Sequence, residues 1–285
     1  MKFKTALITG CSSGIGKDLV LPLLERGWRV IATLRDCESR RELFAAELSR
    51  FPNMLILHSL DVADAAARMS TAELVRSQCE GRLDALINNA GFGLFGAVED
   101  LSEEQMREQF EVNFFGLVLL TQSMLPFLRE ARGRIINLSS LVGTQSLPLM
   151  TLYSASKFAV EGFSEGLYYE LKKHGVQVAM VKPGGHRTKF GANLTWGTRA
   201  TSADSKYAEE TAAFRTMLAH SLEENGPPPD GVVRKILALL EMRKMPLRTR
   251  VGFDAVGAHI VRSLLPEAIF LPLSWVVMRS ILKTR

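Results

Sequence analysis

Short apolar runs alternate with stretches that carry an apolar side chain every three to four positions, almost to the end of the 285-residue chain. The short runs fall at residues 4–9, 28–33, 54–58, 84–88, 134–138 and 176–182. The amphipathic stretches lie near 14–26, 38–50, 68–80, 102–130 and 153–173. Strands alternating with helices predict an α/β fold, a doubly wound parallel sheet with helices on both faces. The runs at 84–88 and 134–138 suit central strands, which are buried on both sides. Gly27 and Gly175 each follow a charged helix end and mark stops. Pro22 falls inside the first helix and predicts a kink there, because it has no N–H to donate.

The alternation breaks at about 188–229, a stretch with small polar residues, Trp196, a helical-looking 204–224 and then Pro227-Pro228-Pro229. A long insertion after a sheet strand usually carries function. A helix near 230–243 and a last strand around 248–252 follow. From 247 to 285 acids are few and apolar stretches long. Residues 268–278 are uncharged, but Pro266 and Pro272 interrupt the region and a spanning helix needs about 20 apolar residues. Two readings stay open. Arg262, Arg279, Lys283 and Arg285 beside Ile269, Phe270, Leu271 and Trp275 suit an interfacial helix on anionic lipid; the same segment could pack on a substrate cleft or a partner subunit. With no repeat or low-complexity linker, one domain is expected: a main unit over 1–246 that includes the inserted loop at about 188–229, and an apolar, basic extension of the same domain over 247–285.

Composition changes this picture little. Hydrophobic residues make up 47% and charged ones 23%, which fits a folded globular chain. A net charge of +5 invites a nucleic-acid reading, but the basic residues are scattered and no recognition-helix, zinc-finger or RNA-binding signature accompanies them. Cys11, Cys37 and Cys79 show neither C-x-x-C nor metal-ligand spacing, so no metal is expected. An odd cysteine count and no apolar leader at the N-terminus point to a cytoplasmic protein.

Candidate chemistry begins after the first strand, at Gly10-Cys11-Ser12-Ser13-Gly14-Ile15-Gly16. Glycines between a first strand and a first helix let the backbone turn sharply and approach a pyrophosphate at the helix N-terminus. The second strand ends in Leu34-Arg35 rather than in an acid. An acidic side chain there would favour the ribose diol of NAD, whereas the planar Arg35 cation suits a 2′-phosphate, so NADP(H) is expected. Asp36 complicates this, since it could pair with Arg35 or face away.

Tyr153 and Lys157 stand four residues apart on one helix face, with Ser140 thirteen residues upstream at a strand end. An ammonium near a phenol favours phenolate and would pull the tyrosine pKa down towards working pH. Such a tyrosine can exchange a proton with an alcohol or a ketone, and a serine hydroxyl at the same point can hold the reacting oxygen.

Thr9-Gly10-x-x-x-Gly14-Ile15-Gly16, Asp61-Val62, Asn88-Asn89-Ala90-Gly91, Asn113, Ser140, Tyr153-x-x-x-Lys157 and Pro183-Gly184-x-x-x-Thr188 occur in this order. In these motifs the chain resembles the short-chain dehydrogenase/reductase family over about residues 1–190. The stretches Ile-Thr-Gly-Cys-Ser-Ser-Gly-Ile-Gly and Ala-Thr-Leu-Arg-Asp resemble its 17β-hydroxysteroid and retinol dehydrogenase branch. The resemblance implies a Rossmann-type sheet and a catalytic set of Ser140, Tyr153, Lys157 and Asn113. Tyr153 would be the acid/base, Lys157 would also bind the nicotinamide ribose, and Asn113 would hold a water that relays protons. For the cofactor it implies Gly10, Ser12, Ser13, Gly14, Ile15 and Gly16 at the phosphates and Asp61 and Val62 at adenine. Asn89, Ala90 and Gly91 would line the adenosine ribose, and Pro183, Gly184 and Thr188 the nicotinamide side. Asn88 and Asn137 could instead be only strand-end turn formers, the reading favoured for Asn137, and His186 reads as a loop residue. The family commonly forms dimers or tetramers through its two long helices.

The expected function is an NADP(H)-dependent oxidoreductase that interconverts a hydroxyl and a carbonyl. Phe92, Leu94, Phe95, Leu147, Leu149 and Met150 near the expected cleft lean towards a hydrophobic, steroid-, retinoid- or lipid-like substrate. The rival expectation is a non-catalytic NADP(H) sensor or membrane-associated scaffold on the same fold.

Overall fold

All seven runs predicted as strands form strands, and all seven join one sheet. The computed structural model describes residues 3–186, 194–220 and 226–282. The sheet comprises β1 (Lys4–Ile8), β2 (Trp28–Leu34), β3 (Leu55–Ser59), β4 (Ala85–Asn88), β6 (Arg134–Leu138), β7 (Gln177–Pro183) and β9 (Arg248–Val251). Their order is β3-β2-β1-β4-β6-β7-β9 and every pairing is parallel. Because successive side chains of a strand point to opposite faces, each strand feeds two cores. Ala6 and Ile8 of β1 join Val30, Ala32, Ile87 and Ile136 in one, whereas Leu7 joins Ile31, Leu86 and Ile135 in the other. The chain builds outwards from β1 in one direction and then returns to build in the other. The switch point, where open α/β sheets bind ligands, therefore lies between β1 and β4.

The helices are α1 (Gly14–Asp18), α2 (Val20–Glu25), α3 (Ala45–Arg50), α4 (Ala65–Gln78), α5 (Glu103–Phe110), α6 (Leu117–Ala131) and α7 (Thr151–Leu171), then α8 (Ala208–Ala219), α9 (Asp230–Glu241), α10 (Phe253–Leu264) and α11 (Glu267–Leu282). The first predicted helix is broken at Leu19 into α1 and α2, since Pro22 cannot donate to the carbonyl of Asp18. The stretch 38–50 narrows to a 3-10 turn, Arg41–Phe44, followed by α3. Ser102 and Gln105 cap α5 reciprocally. Between α5 and α6 a π-helical turn, Glu111–Gly116, inserts without ending the helix. Glu103–Ala131 is the one helix among the described residues long and apolar enough to cross a membrane. Leu120, Met124 and Leu128 instead bury it against the sheet. Pro272, read as an interruption, lies within α11, whose Phe270, Met278 and Leu282 are buried. A second, two-stranded parallel sheet pairs β5 (Gly93–Phe95) with β8 (Leu194–Trp196).

Candidate active site

At the switch point the loop after β1 packs directly on the loop after β4. Thr9 Oγ1 accepts from the backbone N–H groups of Asn89 and Ala90, each at 2.9 Å. The Asn89 carboxamide donates back to the carbonyls of Thr9 (2.8 Å) and Gly10 (3.1 Å). Glycine is required twice. Gly10 has φ +72°, and a Cβ there would stand 2.9 Å from Ala90 Cα. At Gly16 a Cβ would meet the Asn89 amide and the Gly10 carbonyl at 2.5 Å. Asn89 thus braces the glycine loop rather than only lining a ribose, and Thr9, which the sequence reading left without a role, is the hinge of the arrangement. Its signal was available, since a threonine at the end of an apolar strand has a hydroxyl to satisfy.

This loop opens into a cavity of about 1070 Å³, at the upper end of the range for small-molecule sites. Gly10, Ser12, Ser13, Gly14 and Ile15 form one wall, and Asp61, Val62, Asn89, Ala90 and Gly91 another. Arg35 stands at the rim, and among the described residues it has no acidic partner. Asp36 does not pair with it. Its carboxylate caps the Ser39 N–H at 3.1 Å, and hydrogen bonds from Ser39 hold it below the usual carboxylate range. Arg40, not singled out in the sequence, joins Arg35 along the cavity. Asp61 accepts from the Ala63 N–H at 3.0 Å, which fixes its carboxylate at the end of β3. A dinucleotide fits these residues: glycines where a side chain would fill the cradle, and two guanidinium groups, Arg35 and Arg40, along the cavity beyond β2.

The second group of predicted residues meets at the C-terminal end of β6. Ser140 caps the turn Leu141–Gly143, accepting from the Val142 N–H at 3.3 Å, and its hydroxyl hydrogen-bonds Tyr153. Ser139 is buried and points away, under Gly143. Lys157 follows Tyr153 by one turn, its Nζ 5.7 Å from the tyrosine ring centroid and donating to the Leu138 carbonyl at 2.8 Å. The expectation that Lys157 lowers the phenol pKa does not hold in the protein alone. Burial pushes the Tyr153 phenol up to about 12, against the opposing Ser140 hydrogen bond, and pushes Lys157 down to about 8. Desolvation is the larger effect on both groups.

Asn113 lies in the π turn and is buried. Its Oδ1 accepts from Phe92 N–H (3.0 Å), and its Nδ2 donates to Phe92 C=O (2.9 Å) and Ser156 Oγ (3.2 Å). The side chain therefore ties the Gly91–Phe92 loop to α7 beside Lys157. Asn88 and Asn137 are not turn formers. Paired in register across β4 and β6, they form a buried ladder, with Asn88 donating to Thr121 and Asn137, and Asn137 to Ser164. Pro183 and Gly184 close β7, and Gly185 N–H is held by the carboxylate of Asp254 at 2.6 Å, a contact from α10 with no local sequence signal. His186 is buried, with Nδ1 3.1 Å from Gly184 O. Thr188 lies outside the described residues. Among those residues no group of three or more His, Cys, Asp or Glu could hold a metal ion.

An apolar shell surrounds the tyrosine. Phe95 packs edge-on against Tyr153 (5.7 Å), Trp196 (5.9 Å) and Phe214 (6.1 Å). Leu147, Leu149, Met150, Met278 and Leu282 complete the cluster. Leu149 is held at φ +61°, an unusual conformation for a leucine, by the Gly96 N–H bonded to its carbonyl at 2.8 Å. The shell is assembled from β5, β8, α8 and α11, the last through Met278 and Leu282. Phe92 lines the nucleotide cavity instead, and Leu94 is core.

A family model described as short chain dehydrogenase matches residues 4–197. The 3-ketodihydrosphingosine reductase of Bacteroides thetaiotaomicron is 36% identical over 253 residues, 88% of this chain and 89% of that protein. Human retinol dehydrogenase 8 is 34% identical over 257 residues, 87% and 81% of the two chains. A short chain dehydrogenase from Burkholderia cenocepacia, solved in complex with NADP, superposes with a TM-score of 0.74 at 25% identity, covering 95% of this chain and 98% of its own. Another chain of this fold is solved with NAD. With the glycine loop, the Tyr153–Lys157 turn and the sheet order all in place, this chain belongs to the short-chain dehydrogenase/reductase family of oxidoreductases.

Proposed function

We propose that the protein is an NADP(H)-dependent oxidoreductase interconverting a hydroxyl and a carbonyl on a hydrophobic substrate. The observation that carries this reading is the convergence of Ser140, Tyr153 and Lys157 inside an apolar shell, at the end of the sheet that holds the glycine loop. Bound there, NADP(H) supplies or accepts the hydride. The protein's own residues handle the oxygen and the proton. Ser140 orients the substrate oxygen and stabilises the charge that develops on it. Tyr153, protonated in the neutral range, gives its proton to that oxygen in reduction and takes it back in oxidation. Lys157, charged below about pH 8, stabilises the phenolate so formed.

Gly10, Ser12–Gly16, Asp61, Val62 and Asn89–Gly91 would hold the dinucleotide, with Arg35 at the 2′-phosphate. Pro183, Gly184 and Thr188 would lie at the nicotinamide end. Aromatic and aliphatic side chains around Tyr153 favour a steroid-, retinoid- or lipid-like substrate, as the names of the two curated relatives also suggest. We place the protein in the cytoplasm as a single unit over 1–246 with 247–285 as its extension. Exposed Phe115, Leu119 and Phe158 on the two long helices suit a dimer or tetramer.

Arg35 decides the nucleotide. Charge-assisted hydrogen bonds are worth about 1.5–3 kcal/mol, so Arg35→Ala is expected to weaken NADPH binding about 10- to 100-fold and leave NADH binding unchanged. Titration of nucleotide fluorescence checks this; equal losses for both would remove the phosphate role. A panel of carbonyls graded in size and polarity, followed by NADPH consumption, tests the activity itself. A protein that binds NADPH tightly but reduces none of them would favour the sensor reading.

A further inference from the structure

Twelve of the 22 large apolar side chains exposed among the described residues lie within 253–282. On α10, Phe253 (99% exposed), Val256, Ile260 and Leu264 follow one another at helical spacing and make one solvent-facing stripe. The adjoining α11 buries only a narrow seam, Phe270, Met278 and Leu282, against the body of the protein. Around that seam Ile269, Leu271, Leu273, Trp275, Val276, Val277 and Ile281 face outwards. Scattered apolar residues on a surface need no explanation, but a contiguous patch of this size marks a docking site.

Charge identifies the occupant. Residues 242–285 hold eight of the 35 basic residues and two of the 30 acidic ones, so they carry +6 while the preceding 241 residues sum to −1. Both acids are already engaged: Asp254 caps the Gly185 N–H, and Glu267 pairs with Arg262 at 3.1 Å. Arg279 has no acidic partner among the described residues. Arg248 pairs with Glu161 and Glu165 of α7 and Arg262 with Glu267, so on α11 the uncompensated charge is that of Arg279, and the net charge of +6 over 242–285 complements anionic lipid. At 16 residues α11 is about 24 Å long, short of the roughly 30 Å hydrocarbon core. Over its described length it suits a position in the interface.

We infer that α10 and α11 dock the protein on an anionic phospholipid surface, with Trp275 and the neighbouring aliphatic side chains in the headgroup boundary. Met278 and Leu282 of that seam belong to the apolar shell around Tyr153. The docked helix therefore stands between the bilayer and the proposed substrate site, where a lipid-soluble substrate could enter without crossing water.

The test is flotation of the full-length chain with vesicles of phosphatidylcholine alone and of phosphatidylcholine with phosphatidylglycerol, each at low and high salt. The protein is expected to float with the anionic vesicles, several-fold less at high salt. The exposed-face variant Leu273→Glu/Val276→Glu should float at least tenfold less. No flotation, or equal flotation with neutral vesicles, would overturn the proposal. So would a wild-type dimer that this variant converts to monomer, since a second copy would then cover the face. Two further readouts separate this proposal from the catalytic one. NADPH binding, and reduction of a short water-soluble carbonyl, should be the same in the variant and the wild type. Loss of both in the two proteins would count against the catalytic reading and leave the docking result standing.

Discussion

Tyr153→Phe is expected to lower carbonyl reduction about 10³-fold while NADPH binding stays nearly unchanged. The substitution removes one oxygen and leaves the ring, whose edge contact with Phe95 at 5.7 Å and place in the apolar shell are then preserved. The fold should not move, so the lost rate reports the proton. Single-turnover consumption of NADPH with a reducible carbonyl measures it, alongside a fluorescence titration of the nucleotide. A variant that keeps near-normal rates would remove Tyr153 from the chemistry. Lys157 sets the pH range of the same experiment. Its ammonium is present below about pH 8, so reduction should be flat there and fall as the pH rises through that value. The linkage to stability has the opposite sense. The unfolded chain holds this proton up to the ordinary lysine value of 10.5, and the fold releases it near 8. The contribution of Lys157 to stability therefore grows with pH across that window.

The short apolar runs and the glycine stops made the main sheet legible, because a strand that feeds two cores must show a near-continuous apolar run. The pair at 153 and 157 was legible for a similar reason: helical spacing is local. What escaped is non-local or too short. β5 and β8 are three residues each, below the length at which a pattern can be read, yet they carry Phe95 and Trp196 to the tyrosine. The π turn that places Asn113 leaves no mark in the hydrophobic periodicity. Nor could the sequence show that burial, rather than charge, dominates the phenol. Spacing says that Lys157 is near Tyr153, but not that its Nζ points to Leu138. Asp254 reaches Gly185 from 69 residues away, and such a contact exists only once the sheet is closed.

The largest stability effect should come from a group with no local signal in the sequence. Lys182 of β7 is 1% exposed, one residue before the Pro183–Gly184 motif. Its Nζ lies 3.1 Å from Glu161 Oε1 and 3.3 Å from Thr144 Oγ1. Glu161 is one turn beyond Lys157 on α7, and its other oxygen meets Arg248 of β9 at 3.1 Å. Above it runs the turn that begins at Ser140, packed so closely that a Cβ at Gly143 would contact both Ser139 and Glu161. Removing the ammonium leaves a buried carboxylate with the Arg248 contact and the charge of Arg250, and breaking one side of a buried pair costs about 3 kcal/mol or more. Lys182→Met is therefore expected to lower the melting temperature by roughly 6–12 °C, measured by calorimetry on the nucleotide-free protein. Glu161→Gln in the same chain removes the stranded charge, so the double variant should recover part of that loss rather than add to it. A double variant that is destabilised by the full sum would mean the two groups act independently. The turn carrying Ser140 would then owe its position to backbone packing alone, without the ion pair beneath it.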